Sequence, residues 1–115
     1  MRKFIFGVLG AASVAVSSHA LAPENKQALK AAAVEAHHNC LREQAAKMDD
    51  YVSVADTVGL KISIICDSYL DAIALHSGPY RSKREKEMVR FTLSQRAPKT
   101  ATIIVLEGRK KGNSQ

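Results

Sequence analysis

The chain has 115 residues, enough for one small domain, and is 46% hydrophobic, 24% charged and 5% aromatic with no tryptophan. That is an ordinary globular composition whose core must come from Ala, Val, Ile and Leu, and no apolar run outside the N-terminus is long enough for a spanning helix. The formal net charge of +6 conceals two opposite regions: residues 23–80 hold 5 basic and 8 acidic side chains (net −3), and residues 81–115 hold 10 basic and 3 acidic (net +7). Either the two regions attract each other across the fold, or the basic one faces an acidic partner.

The N-terminus has the three parts of a secretory signal in order. Arg2 and Lys3 form a positive segment, Phe4 to Val16 is apolar, and Ala20-Leu21-Ala22 is a small-residue cleavage pattern. The expected leader is residues 1–22. The mature chain would then be one domain over 23–115, or 115 − 22 = 93 residues. The expected location is periplasmic or secreted. A domain of that size buries a modest share of its surface and gains much from a covalent staple.

Residues 24–48 predict a helix, being rich in Ala, Leu, Lys, Glu and Gln and free of Gly and Pro. Val34, His37, Leu41, Ala45 and Met48 fall on one stripe, with Leu29, Ala33, Ala36 and Cys40 beside it. Asp49-Asp50 oppose the helix dipole and favour a stop. Ser53 then reads as an N-cap, with Asp56 as an imperfect capping-box partner. A second helix is expected from about Val54 to Leu75. Its stripe is Ala55, Val58, Ile62, Ile65, Tyr69 and Ala72, with Cys66 and Ile73 alongside, and Gly59 is its weak point. Ser77-Gly78-Pro79 should end it, with Gly78 in a left-handed C-cap.

Cys40 and Cys66, the only two cysteines, flank this turn. With the turn centred near residue 51, they lie on antiparallel helices offset by roughly 6 Å, about one helical turn. An oxidising compartment favours a bridge between them. Its chain-entropy contribution would be roughly 3–4 kcal/mol. The alternatives are an intermolecular bridge, a redox pair or a metal site, and a redox pair would ordinarily show C-x-x-C spacing.

After Pro79, Ser82 and Glu85 fit a capping box, opening a helix over 82–96 with Met88, Phe91 and Gln95 on one side and Val89 and Leu93 beside them. Ala97-Pro98 interrupts this pattern, as a kink or a fresh start. Thr100 to Leu106 has strand-like composition, but a lone strand would find no partner in this chain, so a short helix is expected; a strand would imply pairing between two chains. Arg109-Lys110-Lys111 should belong to a frayed basic tail.

No stretch carries a reaction-specific motif. Adjacent His37 and His38, with Met48, are the candidates for a metal or ligand carrier, but Cys40 is lost as a ligand once bonded. Asp67 and Asp71, spaced i, i+4, could bind a cation or do acid–base work in a pocket; a solvated acidic face meeting the basic third helix is the simpler expectation. The acids around the turn lack the glycine and ligand order of a calcium loop. No cofactor is implied. The basic block Arg81, Lys83, Arg84 and Lys86, continued by Arg90, could meet an acidic protein or an anionic envelope surface. Aromatic interleaving for nucleic acid is thin, and nucleic acid is not expected as a partner.

These features predict an all-α domain of three or four helices built on a disulfide-stapled antiparallel hairpin. The arrangement is similar to that of small exported bacterial helical proteins, which transfers no functional residue. The expected function is a non-catalytic binding module of the cell envelope whose basic third helix faces an acidic partner. The alternative is a small metal or ligand carrier using His37, His38 and Met48. Oligomeric state is left open.

Overall fold

The computed structural model describes residues 22–113, and the leader expected over 1–22 lies outside them but for its last residue. Four α-helices and one 3-10 turn make up the described chain: α1 (Ala22–Met48), α2 (Ala55–Ile65), the 3-10 turn Asp67–Tyr69, α3 (Leu70–Leu75) and α4 (Lys83–Asn113). No strand occurs among the described residues, and none of their helices is long and apolar enough to cross a membrane.

α1 and α2 form the hairpin, and Cys40 and Cys66 are bonded across it with Cα atoms 5.9 Å apart. The turn is built by its two acids. Asp50 accepts hydrogen bonds from Val52 N–H, Ser53 N–H and Ser53 Oγ–H, and Asp49 Oδ1 accepts from Tyr51 N–H. Those bonds hold Tyr51 in the left-handed region at φ 62°, where a residue with a side chain is uncommon. Ser53 is therefore not the helix cap. Its hydroxyl is spent on Asp50, and Val54 precedes α2 without a side-chain cap bond.

The second predicted helix is broken. Cys66 closes α2, and the 3-10 turn intervenes before α3. Beyond the break the apolar stripe turns: Tyr69 and Ala72, expected inward, are exposed, while Leu70, Ile73 and Ala74 are buried; Ile65, also expected inward, is exposed at the end of α2, next to the buried Cys66. The stop after Leu75 arrives where expected, but Gly78 is not in a left-handed conformation. Ser77 Oγ instead donates to the Ile73 carbonyl and Tyr80 Oη to that of Ala74, tying the loop to the end of α3.

α4 runs unbroken through Pro98, where the two expected segments join into one helix. Ser82 Oγ accepts from Glu85 N–H at its start, and Glu85 Oε1 accepts from Arg81 N–H. Pro98 removes one donor, the partner of the Ser94 carbonyl. Thr100 to Leu106 is helical, so its backbone groups are satisfied within the helix and no second chain is needed. The expected frayed tail is also helical, through Asn113.

Small side chains seat α4. Ser94, Ala97 and Ala101 lie on its inner seam with Val105, and Ala97, Ala101 and Val105 are buried. Gly59 faces α4 rather than its hairpin partner. A Cβ there would stand 2.8 Å from the Thr102 backbone nitrogen, closer than side chains can pack. The core forms two clusters. One joins Cys40, Leu41, Ala45, Val58, Ile62 and Cys66 to Ala101 and Val105. The smaller one joins Ala33, Leu70, Ile73 and Ala97, with Val34 and Leu93 partly buried against it.

Candidate functional site

The polar groups between and around these clusters decide what the molecule can do. At the junction, Arg90 reaches from α4 to the 3-10 turn. Its Nη2 donates to Asp67 Oδ2 at 2.7 Å and to the Asp67 carbonyl at 3.1 Å. Its Nε donates to Asp71 Oδ1 at 2.7 Å and its Nη1 to Ser94 Oγ at 2.6 Å. Ser94 Oγ–H in turn donates to Asp67 Oδ1 at 3.0 Å. The Asp67 carbonyl also accepts from the Leu70 N–H that closes the 3-10 turn, so the guanidinium takes a second acceptor position on the same oxygen. Hydrogen bonding from Arg90 is the main cause holding the Asp67 carboxyl below its usual range, with Ser94 assisting against burial. The same bonds raise Arg90 further into its charged form. The i, i+4 acids thus serve as a counterion for one arginine, and Asp67 stays ionised.

A second clamp closes the other end. Arg109 Nη2 donates to Asp49 Oδ1 at 2.7 Å and to the Ser53 carbonyl at 2.6 Å, and its Nε donates to Asp49 Oδ2 at 3.0 Å. The Asp49 side chain is 5% exposed. The Arg109 hydrogen bond is the first cause that lowers its pKa, opposed by burial. The three bonds by which Asp50 holds the turn lower its carboxyl pKa strongly as well, the Ser53 N–H first among them.

His37 is buried at 4% exposure, and its Nε2 has no hydrogen-bond partner among the described residues. Burial lowers its pKa first, and the neighbouring His38, 6.0 Å away between ring centroids, lowers it further. Met48 sits eleven residues along α1, about 16 Å away by helical rise, and is partly exposed. The structure does not bring His37, His38 and Met48 together on that helix. No group of three or more His, Cys, Asp or Glu among the described residues could hold a metal ion, and both cysteines are bonded.

The basic block separates into two kinds of cation. Arg90 is consumed by Asp67 and Asp71, and Arg81 lies near Glu85 at 3.9 Å. Lys83, Arg84 and Lys86 are exposed and form no ion pair among the described residues, and the same holds for Arg96 and Lys99 further along α4. Lys83 and Lys86 line a hollow of about 410 Å³ between α3 and α4, with Asp71, Glu87 and Arg90. A second hollow of about 400 Å³ lies at the α2–α4 seam, lined by Asp56, Leu60, Pro98, Lys99, Thr102 and Ile103. A third, of about 230 Å³, lies at the far end between α1 and α4, where Arg42, Tyr51 and Lys111 meet.

Met88 and Phe91, expected on the apolar side of their helix, are 60% and 64% exposed. The inward seam of α4 is instead Arg90, Ser94, Ala97, Ala101 and Val105. Sequence reasoning missed this because it followed large apolar residues, whereas close packing chose small ones. The signal was present as the spacing of Ser94, Ala97 and Ala101. The chain matches no protein-family model, no curated protein and no solved structure.

Proposed function

We propose that this protein is a non-catalytic binding module of the bacterial cell envelope, exported by its N-terminal leader, in which α4 presents cations to an acidic partner. One observation carries the reading. Within a single helix, Arg90 and Arg109 are spent on internal acids, while Lys83, Arg84, Lys86, Arg96 and Lys99 stay exposed and unpaired among the described residues. A fold that needed those charges only for its own neutralisation would pair more of them. The acids that could support acid–base chemistry are engaged: Asp67 and Asp49 each accept from a guanidinium. The bonded cysteines remove the best nucleophile.

The test is co-sedimentation of the exported protein with isolated envelope fractions over a salt series. Retention should fall as salt rises, because contacts between exposed charges are screened. It should also fall in the triple variant K83Q/R84Q/K86Q. Retention indifferent to both salt and substitution sinks the electrostatic reading. The carrier alternative through His37, His38 and Met48 has weaker support, because those side chains do not converge. Stoichiometric binding of zinc or copper by the oxidised protein at micromolar metal would revive it.

A further inference from the structure

The outer face of α4 is not simply basic. Arg84, Met88, Phe91, Gln95 and Lys99 recur at helical spacing and all are exposed, so they form one stripe. By the same period Arg96 flanks it, and Ile103 extends it toward the exposed Leu60 at the α2–α4 seam. Cations therefore bracket two large apolar side chains that project outward. Such a mixture on one helix face is the pattern of a helix lying in a membrane–water interface, with apolar groups in the headgroup–acyl boundary and cations on anionic headgroups.

We propose that this stripe docks on an anionic lipid surface, with Met88 and Phe91 entering the interface and Arg84, Arg96 and Lys99 meeting lipid phosphates. The proposal rests on the binding-module reading above and names its partner. Charge complementarity selects the occupant. A second copy would bring unpaired cations of the same sign against each other. Of the acids near this end of α4, Asp67 and Asp71 are held by Arg90 and Glu85 accepts from the Arg81 backbone; Glu87 is exposed beside the stripe, against the exposed Lys83, Arg84, Lys86, Arg96 and Lys99, so the surface keeps its positive excess. Shape favours lipid over an acidic protein. Tight protein contacts seat their anchors in well-packed pockets, so each projecting side chain would need a matching pocket on the partner. A lipid boundary receives projecting side chains without one.

The experiment uses the exported protein with its native N-terminus confirmed by mass, because a retained leader would itself enter lipid. Binding is measured to vesicles of phosphatidylcholine alone, to vesicles with added phosphatidylglycerol, and to polyglutamate as an acidic-polypeptide probe. The expected result is binding that requires phosphatidylglycerol and weakens with salt. The double variant R84Q/K99Q should bind those vesicles about thirtyfold more weakly, from about fivefold per cation near the surface. M88S/F91S should lose about tenfold or more, as partial burial of two apolar side chains implies, with unchanged helix content because neither residue packs in the core. The chain has no tryptophan, so Phe91→Trp gives a single reporter whose emission should shift to the blue on phosphatidylglycerol vesicles. Failure to bind those vesicles, or full-strength binding by M88S/F91S, overturns the proposal. Salt-sensitive binding to polyglutamate alone overturns the lipid assignment and leaves the binding-module reading standing. Binding to none of the probes removes both.

Discussion

The two ends of the helical layer are held by different means. At the hairpin end, the larger cluster packs around a buried disulfide, and Arg109 clamps the turn through Asp49 and Ser53. At the α3 end, the smaller cluster is bordered by Arg90 and its two partly exposed acids, with His37 buried beside them. The unpaired cations of α4 gather toward this second end. The difference teaches that binding charge and structural charge can share one helix. Position around that helix decides which acids each arginine can reach.

The largest expected effect tests the hairpin end. The double variant C40A/C66A should lose roughly 3–4 kcal/mol in denaturant melts, from the loop the bridge closes. A loss under about 1 kcal/mol would mean that apolar packing, not the cross-link, holds that end.

Next come two glycines that share the α2–α4 half of the molecule and differ in surroundings. Gly59→Ala should cost about 1–3 kcal/mol, because its Cβ is driven against the Thr102 backbone. Gly108→Ala meets no atom within 4 Å and should add roughly 0.5–1 kcal/mol through helix propensity. Equal effects at the two sites would contradict the close approach.

Arg90→Gln should cost about 1 kcal/mol, a figure held down by the solvent that reaches Asp71 and partly Asp67. Arg90→Lys should recover little of it, since an ammonium cannot reproduce the fork that spans both acids and Ser94. Full recovery by lysine would show that charge alone matters there.

The smallest effects are pH-dependent and belong to the α3 end. His37 has a folded pKa below its unfolded value near 6.5, through burial first and then His38, with Asp67 opposing and Arg90 reinforcing. The unfolded chain thus takes up the proton first. Stability is full above pH 6.5 and declines as pH falls from there toward the lowered value. Asp67 is also depressed, by Arg90, so its contribution is full above the unfolded carboxylate value near 4 and is lost as pH falls through the folded one. His37→Gln should flatten the upper window of a stability–pH profile, and Arg90→Gln the lower. A profile that His37→Gln leaves unchanged would remove the histidine from the account.

Much of the fold is legible from residue types alone. Helix formers without Gly or Pro over residues 24–48 dictate nearly all of α1, paired acids stop it near residue 48, and two cysteines flanking a turn in an expected oxidising compartment dictate the bridge. These are local or nearly local effects, with energies set by the residues themselves. The acids' attraction for the basic helix is visible too, as opposite charges on two segments. The break after Cys66, the continuity of α4 through Pro98 and the outward turn of Met88 and Phe91 are not legible in this way. Each goes with how closely α4 seats on the other helices. Gly59 against Thr102, with Ala101, brings α2 and α4 together, while Ala97 packs on α1 and α3 and Ser94 meets Asp67 of the 3-10 turn. Local pattern marked Pro98 as an interruption and put Met88 and Phe91 on the apolar side of their helix. Tertiary packing overrode both, because a seam of small side chains brings the backbones together and leaves the large ones outside. It also decided which arginines of one basic helix became structural and which stayed open to a partner.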